Sequence, residues 1–126
     1  MQDLNELRQA LRRFAGDRDW DRFHSPKNLS IALMVETAEV AEHFQWLDDA
    51  DSVRLPAAKR AELELELADV LIYLTRLADK LDVDLLAAAA RKLAINDRKY
   101  PADRVRGSSR KYSEYRADDP EPDAEG

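Results

Sequence analysis

Two pairs of acids stand three residues apart in this chain: Glu36 and Glu39 within MVETAEVAEHFQW, and Glu66 and Asp69 within ELELELADVLIYL. At about 100° per residue, acids three apart share one face of a helix. Glu36 projects into the apolar stripe of Leu29, Leu33, Val40 and Leu47, and Glu39 falls at its edge. Glu66 and Asp69 flank a second stripe, Leu63, Leu67, Val70, Leu74, Leu77 and Leu81, with Glu62 and Tyr73 close in angle. A carboxylate out of water is costly unless compensated, and four together cannot all stay ionised alone. A hard divalent cation, Mg²⁺ or Mn²⁺, removes the conflict through all-oxygen ligation. Mg²⁺ also leaves positions open to substrate oxygens, which points to phosphate chemistry. The competing reading is two solvated acid pairs, the commoner fate of acids at this spacing. Glu42 and Glu64 point away from these faces and read as solvated. His43 lies near Glu36 and Glu39 in angle and reads as a packing or hydrogen-bonding residue rather than a ligand. The chain has no Glu-x-x-His motif, so a carboxylate-bridged di-iron bundle is excluded.

These acids need helices to hold them, and the chain supplies four. Leu4, Leu7, Leu11 and Phe14 predict a helix over Asp3 to Ala15. Ser25-Pro26 predicts an N-cap followed by a proline in the first turn, with the second helix running to about Leu47. DDADSVRL reads as a polar loop, and Pro56 as the opening of a third helix. ELELELAD alternates as a strand would, but the longer window of leucines at three and four residues predicts a helix. Asp82 or Asp84 is expected to cap a fourth helix, LLAAAARKLAINDRKY, ending before Pro101. The expected fold class is all-α, four amphipathic helices in a bundle.

Composition agrees. The 126 residues suffice for one domain, with 44% hydrophobic and 37% charged residues and three glycines. There is no cysteine, so no thiolate or disulfide chemistry. No apolar run approaches the roughly 20 residues of a membrane span, and the N-terminus lacks a signal-peptide pattern. The expectation is a cytoplasmic protein without a membrane partner. A net charge of −6 argues against duplex nucleic acid as a partner. Ser30 to Asp69 carries ten acids and three bases, whereas Arg91 to Arg116 carries nine bases and three acids. On charge alone these stretches read equally well as polar faces of helices. The expected organisation is one domain over 1–115 and an acidic, solvated tail over 116–126.

Glu36-x-x-Glu39 followed by Glu66-x-x-Asp69 resembles the signature of the MazG-like all-α nucleotide pyrophosphohydrolases. DWDRFHSPKNLSIALMVETAEVAEHFQW, ELADVLIYL, KLAINDRKYP and GSSRKYSEY resemble its dCTP pyrophosphatase branch in order and spacing, from about Leu4 to Tyr115. Two departures stand out. Val35 and Ala38 occupy positions where relatives often carry glycine, and Leu11 stands where that branch can carry histidine.

The resemblance implies a homotetramer of paired subunits, a dimer of dimers. It implies Mg²⁺-dependent hydrolysis of a nucleoside triphosphate, dCTP or a modified dCTP, to the monophosphate and pyrophosphate, a nucleotide-pool cleaning reaction. It makes Glu36, Glu39, Glu66 and Asp69 the metal ligands, with Glu39 also activating water. Trp20 and Trp46 would hold the base, with His24 and Tyr73 nearby. Lys92, Asn96 and Tyr100 would meet the phosphates or sugar, and Arg110, Lys111 and Tyr112 would close over the site. Two alternatives remain open: a dUTP-directed or broad-specificity all-α hydrolase, and a non-catalytic helical oligomerisation module.

Overall fold

The computed structural model describes residues 1–107, all of whose regular structure is helical. Arg110, Lys111, Tyr112 and the acidic tail over 116–126 lie outside the described residues. The chain divides into two compact units, Met1–Asp84 and a second that starts at Leu85. The first contains α1 (Leu4–Asp17), a single 3₁₀ turn (Asp21–Phe23), α2 (Pro26–Glu42), α3 (Asp49–Ser52) and α4 (Ala57–Lys80). The second contains α5 (Leu85–Lys99) and α6 (Ala102–Val105).

Local chemistry places most helix ends. Asp3 caps α1 by accepting the Glu6 N–H at 2.8 Å. Ser25 caps α2 through the Asn28 N–H at 3.1 Å, with Pro26 in the first turn, as the sequence predicts. Pro56 is itself the N-cap of α4 rather than its first helical residue. DDADSVRL is not wholly a loop: Asp48 accepts the Asp51 N–H at 2.8 Å and nucleates the one-turn α3. Asp82 ends α4 instead of starting α5. Its φ is 55°, and the Val83 N–H returns to the Ala78 carbonyl at 2.8 Å in a Schellman closure. α1 ends the same way, with Asp19 at φ 54° and the Trp20 N–H on the Ala15 carbonyl at 2.9 Å.

The expected run of α2 to Leu47 is the main local error. The helix stops at Glu42. Beyond it the Phe44 N–H bonds the Ala41 carbonyl and the Leu47 N–H bonds the Phe44 carbonyl, the tighter three-residue pattern. The chain is turning back here toward α4.

α2 packs along α4, and α1 also packs on α4. α2 and α4 run antiparallel. His24, just before α2, bonds Arg76 near the C-terminal end of α4, while His43, just after α2, meets Glu66 toward its N-terminal end. Ala15, Leu29 and Ala78 form the fully buried apolar centre, together with Thr75 and Arg76. The leucine stripe of α4 is less buried than its spacing suggests: Leu67 is 50% exposed and Leu81 55%. Burial concentrates instead where α1, the 3₁₀ turn and α2 all meet the last turns of α4.

Candidate active site

The antiparallel pairing of α2 and α4 brings the two acid pairs together. Glu36, Glu39, Glu66 and Asp69 are all half-buried, whereas Glu42, Glu62 and Glu64 are exposed. The helical period sorts Glu42 and Glu64 from the four, but not Glu62, which shares the angle of Glu66 and Asp69 and is exposed one turn nearer the start of α4. Glu36 shows the consequence. Burial raises its carboxyl pKa above the ordinary range, and a hydrogen bond with Glu39 and the charges of Glu39, Asp69 and Glu66 push it further in the same direction. One acid thus senses all three others.

Glu36 Oε2 is buried and accepts no hydrogen bond. Glu66 Oε2 meets His43 Nε2 in an ion-pair contact, and the His43 side chain is 10% exposed. The reading of His43 as a hydrogen-bonding rather than a metal-ligating residue fits that contact. Among the described residues no three acidic or imidazole groups converge in the geometry of a finished cation site. The acids share one electrostatic neighbourhood, and Glu66 is turned toward the imidazole. The unpartnered Glu36 Oε2 beside three like charges fits a hard divalent cation, which needs several oxygens and tolerates retained water.

The aromatic residues do not behave as core anchors. Trp46 is 88% exposed and Trp20 46%. Trp46 lies beyond the end of α2, so the period of that helix does not set its direction. Trp20 packs edge-on against Phe14, with ring centroids 5.7 Å apart, and immediately precedes the 3₁₀ turn. His24 is 3.2 Å from Arg76, its Nδ1 accepting from the guanidinium Nε. Burial and the adjacent Arg76 charge lower the His24 pKa, which keeps the ring neutral. Tyr73 is half-buried on α4 on the side of Glu66 and Asp69. In the second unit Lys92 is exposed on α5, Asn96 is half-buried on it, and Tyr100 follows its last turn.

Sequence reasoning missed Arg76 and Asp21. Arg76 is 5% exposed and donates from Nη2 to Asp21 at 2.6 Å. Asp79 lies 3.7 Å from Arg76 Nη1 and is held by Arg12 through two hydrogen bonds of 2.7 and 2.5 Å. The available signal was that Arg76 is seven residues after Asp69, hence on nearly the same helical face.

Comparison with known proteins shows what the chain is similar to. A model of the MazG-like family matches residues 31–115. The chain is 47% identical over 113 residues to dCTP pyrophosphatase 1 of Homo sapiens, an alignment covering 88% of this chain and 66% of that protein. It is 43% identical to dCTP pyrophosphatase 1 of Mus musculus over the same shares. The chain thus spans about two thirds of the length of these curated relatives. Among solved structures, a pyrophosphatase from Archaeoglobus fulgidus superposes with a TM-score of 0.74 at 40% identity, over 77% of this chain and 91% of that one.

Proposed function

The chain belongs to the MazG-like family, and from that membership we propose that it is a nucleoside triphosphate pyrophosphohydrolase converting dCTP or a modified dCTP to dCMP and pyrophosphate. The observation that carries the proposal is the gathering of four half-buried carboxylates, in two i, i+3 pairs, on adjacent antiparallel helices. The dCTP pyrophosphatase name of relatives at 43–47% identity supports the substrate.

Glu36, Glu39, Glu66 and Asp69 would hold the divalent cation, Mg²⁺ or Mn²⁺. Such an ion would supply charge neutralisation of the triphosphate and a lowered pKa for the attacking water. Glu39 would take the proton of the attacking water as the water oxygen bonds the α-phosphorus. The α–β anhydride bond breaks and pyrophosphate leaves. From the resemblance, Lys92, Asn96 and Tyr100, with Arg110, Lys111 and Tyr112, are the residues that would bind the phosphates and sugar and balance the leaving group's charge. Tyr73 borders the acids, and Trp20, Trp46 and His24 border the base.

The two indoles reach α4 by different routes. Trp46 follows His43, which contacts Glu66, while Trp20 adjoins Asp21, which bonds Arg76. Those anchor residues are separated by about 15 Å of helix, with Asp69 between them. That separation favours a base clamp completed by a second copy. The apolar surface favours it too. Ile31, Met34 and Val35 are 48%, 63% and 47% exposed on the side of α2 opposite its buried Leu29 face. A helix apolar on both sides expects a second neighbour. We assign that neighbour to another copy, in a homotetramer.

Phosphorus NMR of the products tests the reaction. The expected result is dCMP plus pyrophosphate, formed only with Mg²⁺ or Mn²⁺ present. Formation of dCDP and orthophosphate would reject the mechanism, and no turnover on any nucleotide would favour a non-catalytic helical module.

A further inference from the structure

Arg76 is the only charged residue among the fully buried ones described, and its main hydrogen-bond partners lie outside its own helix. Its Nη2 donates to Asp21 at 2.6 Å and its Nε to His24 Nδ1 at 3.2 Å. Asp21 takes a second cation, Lys80, on the same oxygen at 2.6 Å. These contacts grip both ends of the segment Asp21–His24, whose neighbour is Trp20. Asn28 adds a hydrogen bond from Nδ2 to the Phe23 carbonyl at 3.0 Å, tying the same segment to α2. Helix α4 presents Arg76 within about 20° of Asp69 in angle and about 10 Å further along the axis. A nucleotide whose α-phosphate sits at the acids extends its base over about that length.

A buried ion pair contributes little net stability compared with an apolar replacement, but it fixes register sharply. An apolar residue at position 76 would fill the same space without specifying where the 3₁₀ turn docks. The planar guanidinium does specify it, because its separate N–H groups must meet Asp21 and His24 at once.

We propose that Arg76, through Asp21 and His24, is a positioning residue that sets Trp20 one nucleotide length from the acid cluster and thereby sets affinity for the base. The inference deepens the pyrophosphohydrolase reading and rests on it for the identity of the ligand. The placement of Trp20 is measurable without that reading.

The test uses the full chain carrying Asp21→Asn, chosen because the Asp21 side chain is 61% exposed and its loss does not open the core. A second variant, Arg76→Lys, keeps the charge and removes the fork. Both are measured for dCTP hydrolysis with Mg²⁺. Each is also prepared with Trp46→Phe, which leaves Trp20 as the sole indole reporter, and is titrated with acrylamide without nucleotide. The expected result for both is a KM for dCTP raised about tenfold, the scale of one impaired base–aromatic stack, with kcat within about twofold. Acrylamide quenching of Trp20 is expected to rise above that of the Trp46→Phe parent. A fall in thermal stability with unchanged KM and unchanged quenching would mean that Arg76 merely holds the fold, and would overturn the proposal. Full function in Arg76→Lys would overturn the role of the fork. If the unsubstituted chain does not hydrolyse dCTP, the functional reading fails, and Trp20 quenching in Asp21→Asn alone decides the placement.

Discussion

Four carboxylates held together half out of water are the feature from which the chemistry follows. Glu36 carries the strain, because its folded pKa is raised by burial and by Glu39, Asp69 and Glu66. A carboxylate raised in this way stabilises the fold most when protonated. Its contribution is complete below the ordinary value of 4.5 and is lost as pH rises through the higher folded value. At neutral pH the cluster therefore works against the fold until a cation or a neutral substitution relieves it. Glu36→Gln is expected to raise the thermal midpoint in EDTA at pH 7 and to abolish most of the further rise on adding Mg²⁺. Calorimetry with and without the ion checks both halves, and a midpoint lower than wild type in EDTA would contradict the repulsion. Asp69→Asn and Glu39→Gln keep shape while removing ligand charge. Turnover of dCTP is expected to fall at least about 100-fold in each, comparable to losing one preorganised electrostatic contact. Near-normal turnover in either would remove that residue from the site.

Helix ends decide where the site's neighbours go. α1 and α4 both finish with an aspartate in the left-handed region, at φ 54° for Asp19 and 55° for Asp82. Aspartate tolerates this conformation but glycine prefers it, and a negative charge at a helix C-terminus opposes the helix dipole. Asp19 makes only an exposed ion pair with Arg22, at 3.3 Å, of small worth. Asp19→Gly is therefore expected to stabilise the protein by about 0.5–1 kcal/mol, the left-handed penalty of 1–2 less the greater freedom of unfolded glycine. Urea denaturation measures it as a higher midpoint at unchanged slope. The early end of α2 has the opposite significance. It frees Trp46 from the helix and sends the chain through α3 to the start of α4, so that the antiparallel pairing can close over the acids.

At the scale of the molecule, the first unit does not bury what its sequence offers to bury. Only Ala15, Leu29 and Ala78 are fully buried among its apolar residues, while Met34, Leu65, Leu67 and Leu71 remain 63%, 71%, 50% and 42% exposed. Leu67 and Leu71 share one face of α4, as Ile31, Met34 and Val35 share one face of α2, and apolar helix faces left open in this way mark interaction surfaces. Met34→Arg places a charge in the middle of the outer α2 face. It is expected to weaken self-association by about two orders of magnitude, as truncating an interface hot spot does, and to lower dCTP affinity with it. Sedimentation velocity over a concentration series reads the first effect. A chain that sediments as a monomer before substitution would reject the homotetramer outright. No described helix is long and apolar enough to cross a membrane.

What the sequence determined by itself was periodic or capped locally. The spacing of Glu36 and Glu39, and of Glu66 and Asp69, placed four acids beside apolar stripes, and the structure half-buries those four while exposing Glu42, Glu62 and Glu64. Ser25 and Pro26 marked the start of α2, and the leucine period over Leu63 to Leu81 overruled the strand-like alternation of ELELEL, because both signals act within a few residues. Tertiary structure alone decided that α2 stops at Glu42, that Asp82 closes α4, and that Arg76 rather than a leucine occupies the buried end of that helix. The Asp82 closure is local but competes with a capping role for the same residue, whereas the burial of Arg76 depends on partners distant in the chain. Asp21 and His24 reach Arg76 from more than fifty residues away, and no local pattern states which charged side chain will find its counter-ion inside. A helical period says which residues share a face; only the packing of α1, the 3₁₀ turn and α2 against α4 decides which part of that face is closed to water.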